Sequence, residues 1–393
     1  MRGDNLKAEE IIQKCLDIYE DMDLNYVTRW KEKKKGRRSV GYTPIYFPQE
    51  ILYAMDILPV GLIGGGDMID VVKGDSFYQS YICHIVRSVV DMELTGKLAP
   101  LDGIISHFVC DVMRNLPGVI KSISPDRYVA LFEPPQEFTS RIGGEYYADQ
   151  LKTIINHFNG GDIPKHRLVD SIMLYDDNRR LIKELYSIRK DRPWDIPLHE
   201  AYLLQRAGLI IDVEEHNEML KDYMVSVKDL NRKPEDRVRV ILVGSFCEQP
   251  PLALLKVIDQ AGCYVVYDDF FLGGRCLTNR IDRKEAEKDP MGTIIESYLN
   301  FCVPLPCRVE GKEEREKWLL DIYKEQKAQG VVFAAPSFCD PALEERPLYE
   351  NKLDESNIRH ISFLYSEETG QFSSIKEQLG TFTDSIKIWG INK

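Results

Sequence analysis

Three cysteines lie in segments where a side chain could bind a metal. Cys110 and Cys339 each follow a β-rich run that is typical of a buried parallel strand. Cys83 lies in the aromatic-rich segment FYQSYICHIVRS, within a helix predicted over YQSYICHIVRSVVDMEL. In open α/β sheets, ligands collect in the loops beyond the carboxyl ends of the strands. Thiolates are the usual protein ligands of iron–sulfur clusters, commonly four per cluster. This placement predicts that the three cysteines bind such a cluster.

Spacing alone does not decide between metal binding and packing, because the chain contains no Cys-x-x-Cys pair. A free cysteine often acts as a small buried apolar residue, and that alternative stays open for each of the three. Cys247 also follows a strand-like run, so it is either a fourth ligand or part of a pocket wall. The remaining cysteines are expected in the packed interior or have no assigned role: Cys15, Cys263, Cys276, Cys302 and Cys307.

A carboxylate and two histidines are further candidates for chemistry. Glu50 stands in the first turn of a helix predicted after the first strand, where a carboxylate commonly stabilises the helix dipole. It could also face a cleft and there orient a substrate or relay protons. His84 and His107 flank two of the cysteines and could donate protons, while the ordinary alternative is a packed or solvated histidine.

The glycine run at 64–66 matches neither the dinucleotide fingerprint nor the P-loop, which needs a following Lys-Ser/Thr. It predicts a turn, and the alternative is close approach of the backbone to a cofactor or a thioester. Because the chain has no Walker-type motif, we expect it to hydrolyse no nucleotide itself.

Eight predicted strands, alternating with helices, would position these candidates. Four of them precede residue 140 (38–47, 59–64, 102–109 and 128–135), and four more follow from residue 237. Alternation at this spacing favours parallel, doubly wound sheets. The predicted fold is therefore α/β, with two Rossmann-like domains and a helical connector: 1–163 with Cys83 and Cys110, the connector 164–232, and 233–393 with Cys247 and Cys339. We expect a ligand cleft between the two domains.

Composition excludes several other classes of protein. A length of 393 residues favours two domains, and the net charge of −12 argues against binding nucleic acid through a basic face. No apolar run approaches the roughly 20 residues that span a bilayer, and the N-terminus lacks the apolar centre of a signal peptide. Nine irregularly spaced cysteines argue against a disulfide framework. We therefore expect a cytoplasmic protein with reduced thiols and no membrane contact.

Long runs of this sequence resemble the 2-hydroxyacyl-CoA dehydratase / benzoyl-CoA reductase family over nearly the whole chain. YTPIYFPQEILYAMDILPVGLIGGGD resembles the family's N-terminal signature, with Glu50 at its acidic position. Five further runs carry the resemblance: GDSFYQSYICHIVRS, VEEHNEMLKDY, GSFCEQPPLALLKVID, VVFAAPSFCDPALEERP and QLGTFTDSIKIW. Within the family, the chain is most similar to the smaller cluster-bearing (gamma or C-type) subunits of ATP-dependent benzoyl-CoA reductases.

The resemblance implies a cofactor, a reaction and partners. Cys83, Cys110 and Cys339 fall on the family's three ligands of a 4Fe–4S cluster, which leaves one iron without a cysteine. The implied reaction is the reduction of benzoyl-CoA, or a similar thioester, to a cyclohexadiene carboxyl-CoA in anaerobic aromatic degradation. The implied partners are a related cluster-bearing subunit, ATP-hydrolysing electron-activating subunits and a low-potential ferredoxin as donor.

Two alternatives stay open at this point. The chain could be a subunit of a 2-hydroxyacyl-CoA dehydratase, in which an injected electron is recycled to expel hydroxide. It could also be a non-catalytic electron-transfer or scaffold subunit that keeps a cluster but binds no substrate.

Overall fold

The computed structural model describes residues 7–44, 46–135, 141–245, 250–277, 280–300, 303, 312–366 and 371–390. Its eight strands occupy all eight predicted positions: β1 (Arg38–Tyr42), β2 (Ile57–Gly61), β3 (Gly103–His107), β4 (Tyr128–Phe132), β5 (Val238–Val243), β6 (Cys263–Asp268), β7 (Gly330–Pro336) and β8 (His360–Tyr365). Most of these strands are apolar and almost fully buried, as expected where helices cover both faces of a parallel sheet.

Helices surround the strands throughout the described part of the chain. They are α1 (Ala8–Glu20), α2 (Asn25–Glu32), α3 (Gln49–Ala54), α4 (His84–Leu94), α5 (Asp111–Ile123), α6 (Gly143–Asn159), α7 (Lys165–Asp191), α8 (Leu198–Ala207), α9 (Val213–Ser226), α10 (Leu252–Gln260), α11 (Arg283–Lys288), α12 (Pro290–Leu299), α13 (Lys312–Glu325), α14 (Asp340–Glu355) and α15 (Phe372–Trp389). None of these helices is both long enough and apolar enough to cross a membrane.

The strands form two four-stranded parallel sheets with the same topology. Their orders are β2-β1-β3-β4 and β6-β5-β7-β8. In each sheet the chain moves outward from the first strand to the second and then crosses to the other side, so the direction of winding reverses between β1 and β3 and between β5 and β7. Ligands bind at such switch points, outside the carboxyl ends of the strands. The predicted α/β class is confirmed, and the two halves repeat one architecture.

The two halves share much of their packing. Residues of the first sheet, such as Val40 and Ile105, belong to one apolar core with Ile294 and Tyr298 of α12, which comes from the second half of the sequence. A second core extends from the N-terminal helices across the other face of the first sheet into the second sheet. The domain boundaries at 163 and 232 remain a prediction.

Helix α7 connects the two halves through two buried arginines. Arg189 Nη1 donates to Asp268 Oδ2 at the end of β6 (2.8 Å), and Arg189 Nη2 donates to the carbonyl of Val265 (2.9 Å). Ten residues earlier on the same helix, Arg179 Nη1 donates to Glu50 Oε1 of α3 (2.7 Å). Each guanidinium is thus neutralised by a carboxylate from a different half.

Replacing Arg189 by Met should destabilise the protein strongly, because Asp268 would remain buried without its counter-charge. The expected loss is about 3–5 kcal/mol of the free energy of unfolding. Urea denaturation followed by circular dichroism measures it.

Arg180→Met is the matched control, because Arg180 is partly exposed and its ion pairs with Asp177 and Glu184 should contribute less than about 1 kcal/mol. Arg189→Met/Asp268→Asn, which removes the charge of both partners of this pair, should recover part of the loss. Equal stability of Arg189→Met and Arg180→Met would contradict the role assigned to the buried pair.

Candidate functional site

Cys110 and Cys339 occupy equivalent places in the two halves. Each lies three residues beyond the end of its strand, β3 or β7, and each is the N-cap residue of the helix that follows. Both helices, α5 and α14, begin with an aspartate and a first turn whose N–H groups are not used within the helix. The predicted strand–helix junctions are therefore present, and they lie beside the two switch points.

The two thiols influence each other electrostatically. Burial, with a smaller contribution from the nearby Cys339, raises the pKa of Cys110 to about 11, although the backbone N–H groups of Met113 and Val112 act to lower it. Without a bound metal, Cys110 is therefore a thiol at neutral pH. Binding of a metal would release its proton, because the thiolate is the ligand form.

Cys83 occupies the same kind of position, although the sequence pattern placed it inside a helix that starts near residue 78. Helix α4 begins only at His84, so Cys83 is its N-cap residue, and it is buried. Burial and the adjacent Cys83 together raise the pKa of Tyr78 to about 12. All three predicted ligands thus stand at the positive end of a helix, where a thiolate is stabilised.

A cavity of about 590 Å³ joins the surroundings of Cys83 to those of Cys339. Its wall includes His84, which follows Cys83, and Ser337 and Phe338, which precede Cys339. Phe338 adopts a φ of 66°, in the left-handed region that a bulky residue rarely enters. The cavity therefore lies between the first half and the second, as the predicted cleft requires.

The three thiols are of the chemical type that binds an iron–sulfur cluster, but among the described residues they do not form a site for a single metal ion. Among the described residues, no three His, Cys, Asp or Glu side chains surround a single point as ligands of one ion. A 4Fe–4S cluster takes one thiolate per iron, so its ligands need not converge in that way. Cys247, the candidate fourth ligand, lies outside the described residues.

The described cysteines that were assigned to the interior are packed there. Burial raises the pKa of both Cys15 and Cys263 to about 12, which makes them unreactive thiols. The side chain of Cys276 lies outside the described part of the chain, and so do Cys302 and Cys307.

Glu50 does not stand free in a cleft. It is fully buried; its Oε1 accepts from Arg179 Nη1 (2.7 Å) and its Oε2 from the hydroxyl of Tyr298 (2.9 Å). Ser171 donates to its backbone carbonyl (2.8 Å). Arg179 and Tyr298 were not predicted as site residues, because no motif marks them and their partner lies more than a hundred residues away in the sequence. The catalytic role suggested for Glu50 remains a prediction.

The two histidines that flank cysteines differ in their surroundings. His84 is buried at the first position of α4 and lines the cavity. His107 ends β3, and its ring lies 4.7 Å from that of Tyr46, between centroids, and 6.2 Å from that of Phe132. Neither ring nitrogen of His107 has a hydrogen-bond partner among the described residues, and burial lowers its pKa to about 3. His107 is therefore neutral in the folded protein.

The glycine run at 64–66 allows backbone conformations that other residues rarely adopt. Gly64 and Gly66 have φ values of 72° and 53°, which glycine adopts without strain, and the N–H of Gly65 donates to Ser88 Oγ (2.7 Å). The structure thus gives the run a conformational role next to α4.

Comparison with known proteins identifies the family. The family model described as 2-hydroxyglutaryl-CoA dehydratase, D-component, matches residues 44–386, and this span includes the strands β2 to β8 and all the predicted site residues. This chain belongs to that family. The family resemblance of the sequence is thereby confirmed.

Individual members of the family differ in their similarity to the chain. The C-type subunit of the benzoyl-CoA reductase of Thauera aromatica is 42% identical over 388 residues, which cover 98% of this chain and 100% of that protein. The (R)-phenyllactyl-CoA dehydratase beta subunit of Clostridium sporogenes is 23% identical over 92% of this chain and 95% of its own length. The beta subunit of the (R)-2-hydroxyglutaryl-CoA dehydratase of Acidaminococcus fermentans is 24% identical over 91% and 94%.

These comparisons confirm that the chain is part of an enzyme of the acyl-CoA reductase or dehydratase type. The much higher identity to a reductase subunit supports a subunit of an acyl-CoA reductase, and the relatives named as subunits imply a complex of several chains.

His107 should make the stability of the protein decrease in acid. Its pKa is about 3 when folded but about 6.5 when unfolded, so below pH 6.5 the unfolded chain binds a proton that the folded one does not. This stability is present above pH 6.5 and is lost as the pH falls towards 3. Between pH 7 and pH 5, His107→Phe should lose about 2 kcal/mol less of its free energy of unfolding than the wild type does.

Urea denaturation at the two pH values measures this difference. His166→Phe, at an exposed position on α7, reports the general effect of replacing a histidine by phenylalanine. If His107→Phe and the wild type lose the same amount of stability, His107 is not buried in its neutral form.

Proposed function

We propose that this chain is the iron–sulfur subunit of an ATP-dependent aromatic acyl-CoA reductase. The complex would reduce benzoyl-CoA to a cyclohexadiene carboxyl-CoA in anaerobic aromatic degradation. The observation that carries the proposal is the 42% identity to a benzoyl-CoA reductase subunit, which extends over almost the full length of both chains. The dehydratase relatives cover nearly as much of the chain at little more than half that identity.

In this proposal Cys83, Cys110 and Cys339 hold a 4Fe–4S cluster. Its support is their shared N-cap position and the mutual influence of two of the thiols. The helix N-termini would favour the deprotonated sulfurs and the negative charge of the site. The fourth iron would have no cysteine ligand, or Cys247 would bind it. A cluster bound there would supply electrons near the low end of cluster potentials, at about −700 mV.

The chain's own residues would exclude water and hold protons. The reduction adds two electrons and two protons to benzoyl-CoA, so the site must deliver protons to the ring without wasting electrons on solvent. His84 lines the cavity beside Cys83 and is our candidate donor, while Glu50 would act through the arginine and the tyrosine that it orients. The buried ring of Tyr298 would exclude water from the neighbourhood of Glu50.

The proposed partners follow from what this chain does not contain. It has no Walker-type motif, so ATP-driven electron delivery would come from other, electron-activating subunits, supplied by a low-potential ferredoxin. A related cluster-bearing subunit would face this one, with the thioester between them. The family relatives are themselves named as subunits, which supports an assembly of this kind.

A 2-hydroxyacyl-CoA dehydratase subunit is the second candidate, because two relatives with that named activity align over more than nine-tenths of the chain. The two functions use reductant differently: a dehydratase recycles its electron, whereas a reductase consumes two electrons per product.

Removing a proposed ligand should remove the cluster. In complexes purified without oxygen, Cys83→Ala, Cys110→Ala and Cys339→Ala should each lose most of the bound iron and acid-labile sulfide, measured colorimetrically and by the visible absorption of the protein. Cys15→Ala and Cys263→Ala are matched controls at buried cysteines and should keep the full content. Full iron and sulfide in all three ligand variants would refute the assignment.

The stoichiometry of reductant should identify the reaction. With benzoyl-CoA, the anoxic complex should consume two electrons per product, counted by oxidation of a reduced dye against chromatographic yield of the diene. With a 2-hydroxyacyl-CoA it should give no turnover. Product from the hydroxy thioester with only catalytic reductant would instead establish the dehydratase.

A further inference from the structure

Phe338 adopts a backbone conformation that its residue type disfavours. Its φ of 66° lies in the left-handed region, and it is the one aromatic residue among the described non-glycine residues with a positive φ. The turn that holds it runs from Pro336 at the end of β7 to Cys339, whose N–H donates to the carbonyl of Pro336 (3.2 Å). Phe338 is the third residue of this turn, a position where a positive φ normally selects glycine or asparagine.

The surrounding backbone fixes this turn. The N–H of Ser337 donates to the carbonyl of Tyr365 at the end of β8 (2.7 Å), and Cys339 is the N-cap residue of α14. Glycine would adopt the same backbone conformation without steric conflict. A bulky side chain is retained here against the conformational preference, which indicates that the ring itself has a function.

The side chain of Phe338 is 49% exposed and lines the cavity of about 590 Å³ between the halves. An apolar cavity of about 150 Å³ is enough to hold a benzene ring, so this cavity has room for a benzoyl group and for part of the chain attached to it. His84 lines the same cavity. A ring bound against Phe338 would therefore lie in the cavity that contains the proposed proton donor.

The wall of this cavity is part apolar and part polar. Ile69 and Val71 add apolar surface to that of Phe338, whereas Ser80 and Gln371 contribute hydrogen-bonding groups. An acyl thioester of coenzyme A is divided in the same way, because its acyl group is apolar and the adjoining chain contains amides. The cavity therefore suits the acyl end of such a thioester better than a wholly apolar ligand, which would leave the polar groups of the wall without partners.

We propose that Phe338 stacks on the aromatic ring of the bound thioester and thereby favours aromatic over aliphatic acyl groups. This inference rests on the proposed function, because it takes an aromatic acyl-CoA as the substrate, and it adds the residue that selects the ring. Offset or edge-to-face pairing of two aromatic rings provides attraction beyond the burial of apolar area, which a saturated ring cannot provide. The turn would hold the side chain of Phe338 in place before the substrate binds, so less entropy is lost on binding.

Binding of benzoyl-CoA and of cyclohexanecarboxyl-CoA, whose ring is saturated, tests the inference. Both are titrated by calorimetry into the anoxic complex without ATP, in samples of equal iron content. Phe338→Leu keeps an apolar side chain but removes the aromatic face. It should therefore weaken the binding of benzoyl-CoA about 2- to 12-fold, and that of cyclohexanecarboxyl-CoA by less than about 2-fold. Phe338→Tyr keeps a ring and should retain the preference for benzoyl-CoA. Phe77→Leu is the matched control, because Phe77 is 43% exposed and is not part of the described wall; it should leave both affinities unchanged.

The stability of a further variant separates recognition of the ring from a structural role. Phe338→Gly relieves the unfavourable backbone conformation, so the midpoint of thermal denaturation of the complex should not fall. Its affinity for benzoyl-CoA should fall at least as much as that of Phe338→Leu. A lower midpoint, together with equal losses of affinity for the two thioesters, would overturn the inference, because the ring would then serve packing alone.

Each other outcome has a definite meaning. Equal weakening of both thioesters by Phe338→Leu, or no weakening of either, would overturn the role of Phe338 while leaving the proposed function intact. Unchanged affinities, together with dissociation of the Phe338→Leu complex during gel filtration, would overturn it in favour of a contact with a partner subunit. No binding of benzoyl-CoA by the wild-type complex would overturn the proposed function itself.

Discussion

Two buried ion pairs on one helix determine how the halves of this molecule sit together. Arg179 and Arg189 are ten residues apart on α7, about 15 Å along its axis, and each is paired with a carboxylate from a different half. A guanidinium that is buried in this way cannot lose its partner without a large penalty. This helix, which contributes no cysteine and matches no motif, therefore determines how the two halves of the molecule are placed relative to each other.

The packing of the two halves also determines how the proposed cysteine ligands are placed relative to each other. Cys110 belongs to the first half and Cys339 to the second, and each is presented by the same device, a strand end followed by a helix N-cap. The local geometry of each sulfur is therefore set within its own half, whereas the distance between them is set by how the halves pack. The two halves share one topology but little residue-level repetition. The backbone geometry therefore positions these two sites, and the cysteine is the residue that each site requires.

The sequence predicted the sheets well and the contacts between distant segments poorly. Runs such as VRVILV and GVVFAAP are continuous and apolar because a parallel sheet is covered on both faces, so all eight strands could be located. Cys83 was placed inside a helix because the aromatic residues before it continue an apolar pattern, yet α4 begins only after it. Glu50 was marked as a polar candidate, but its partners Arg179 and Tyr298 are 129 and 248 residues away, and no local pattern encodes such a pair.

The fully buried state of Arg189 and Asp268 also limits how a substrate can enter. Moving the halves apart would draw α7 away from one of them and break either this pair or the pair of Arg179 with Glu50. The two buried pairs therefore oppose opening of the crevice by a hinge, and a ligand would have to enter it without separation of the halves.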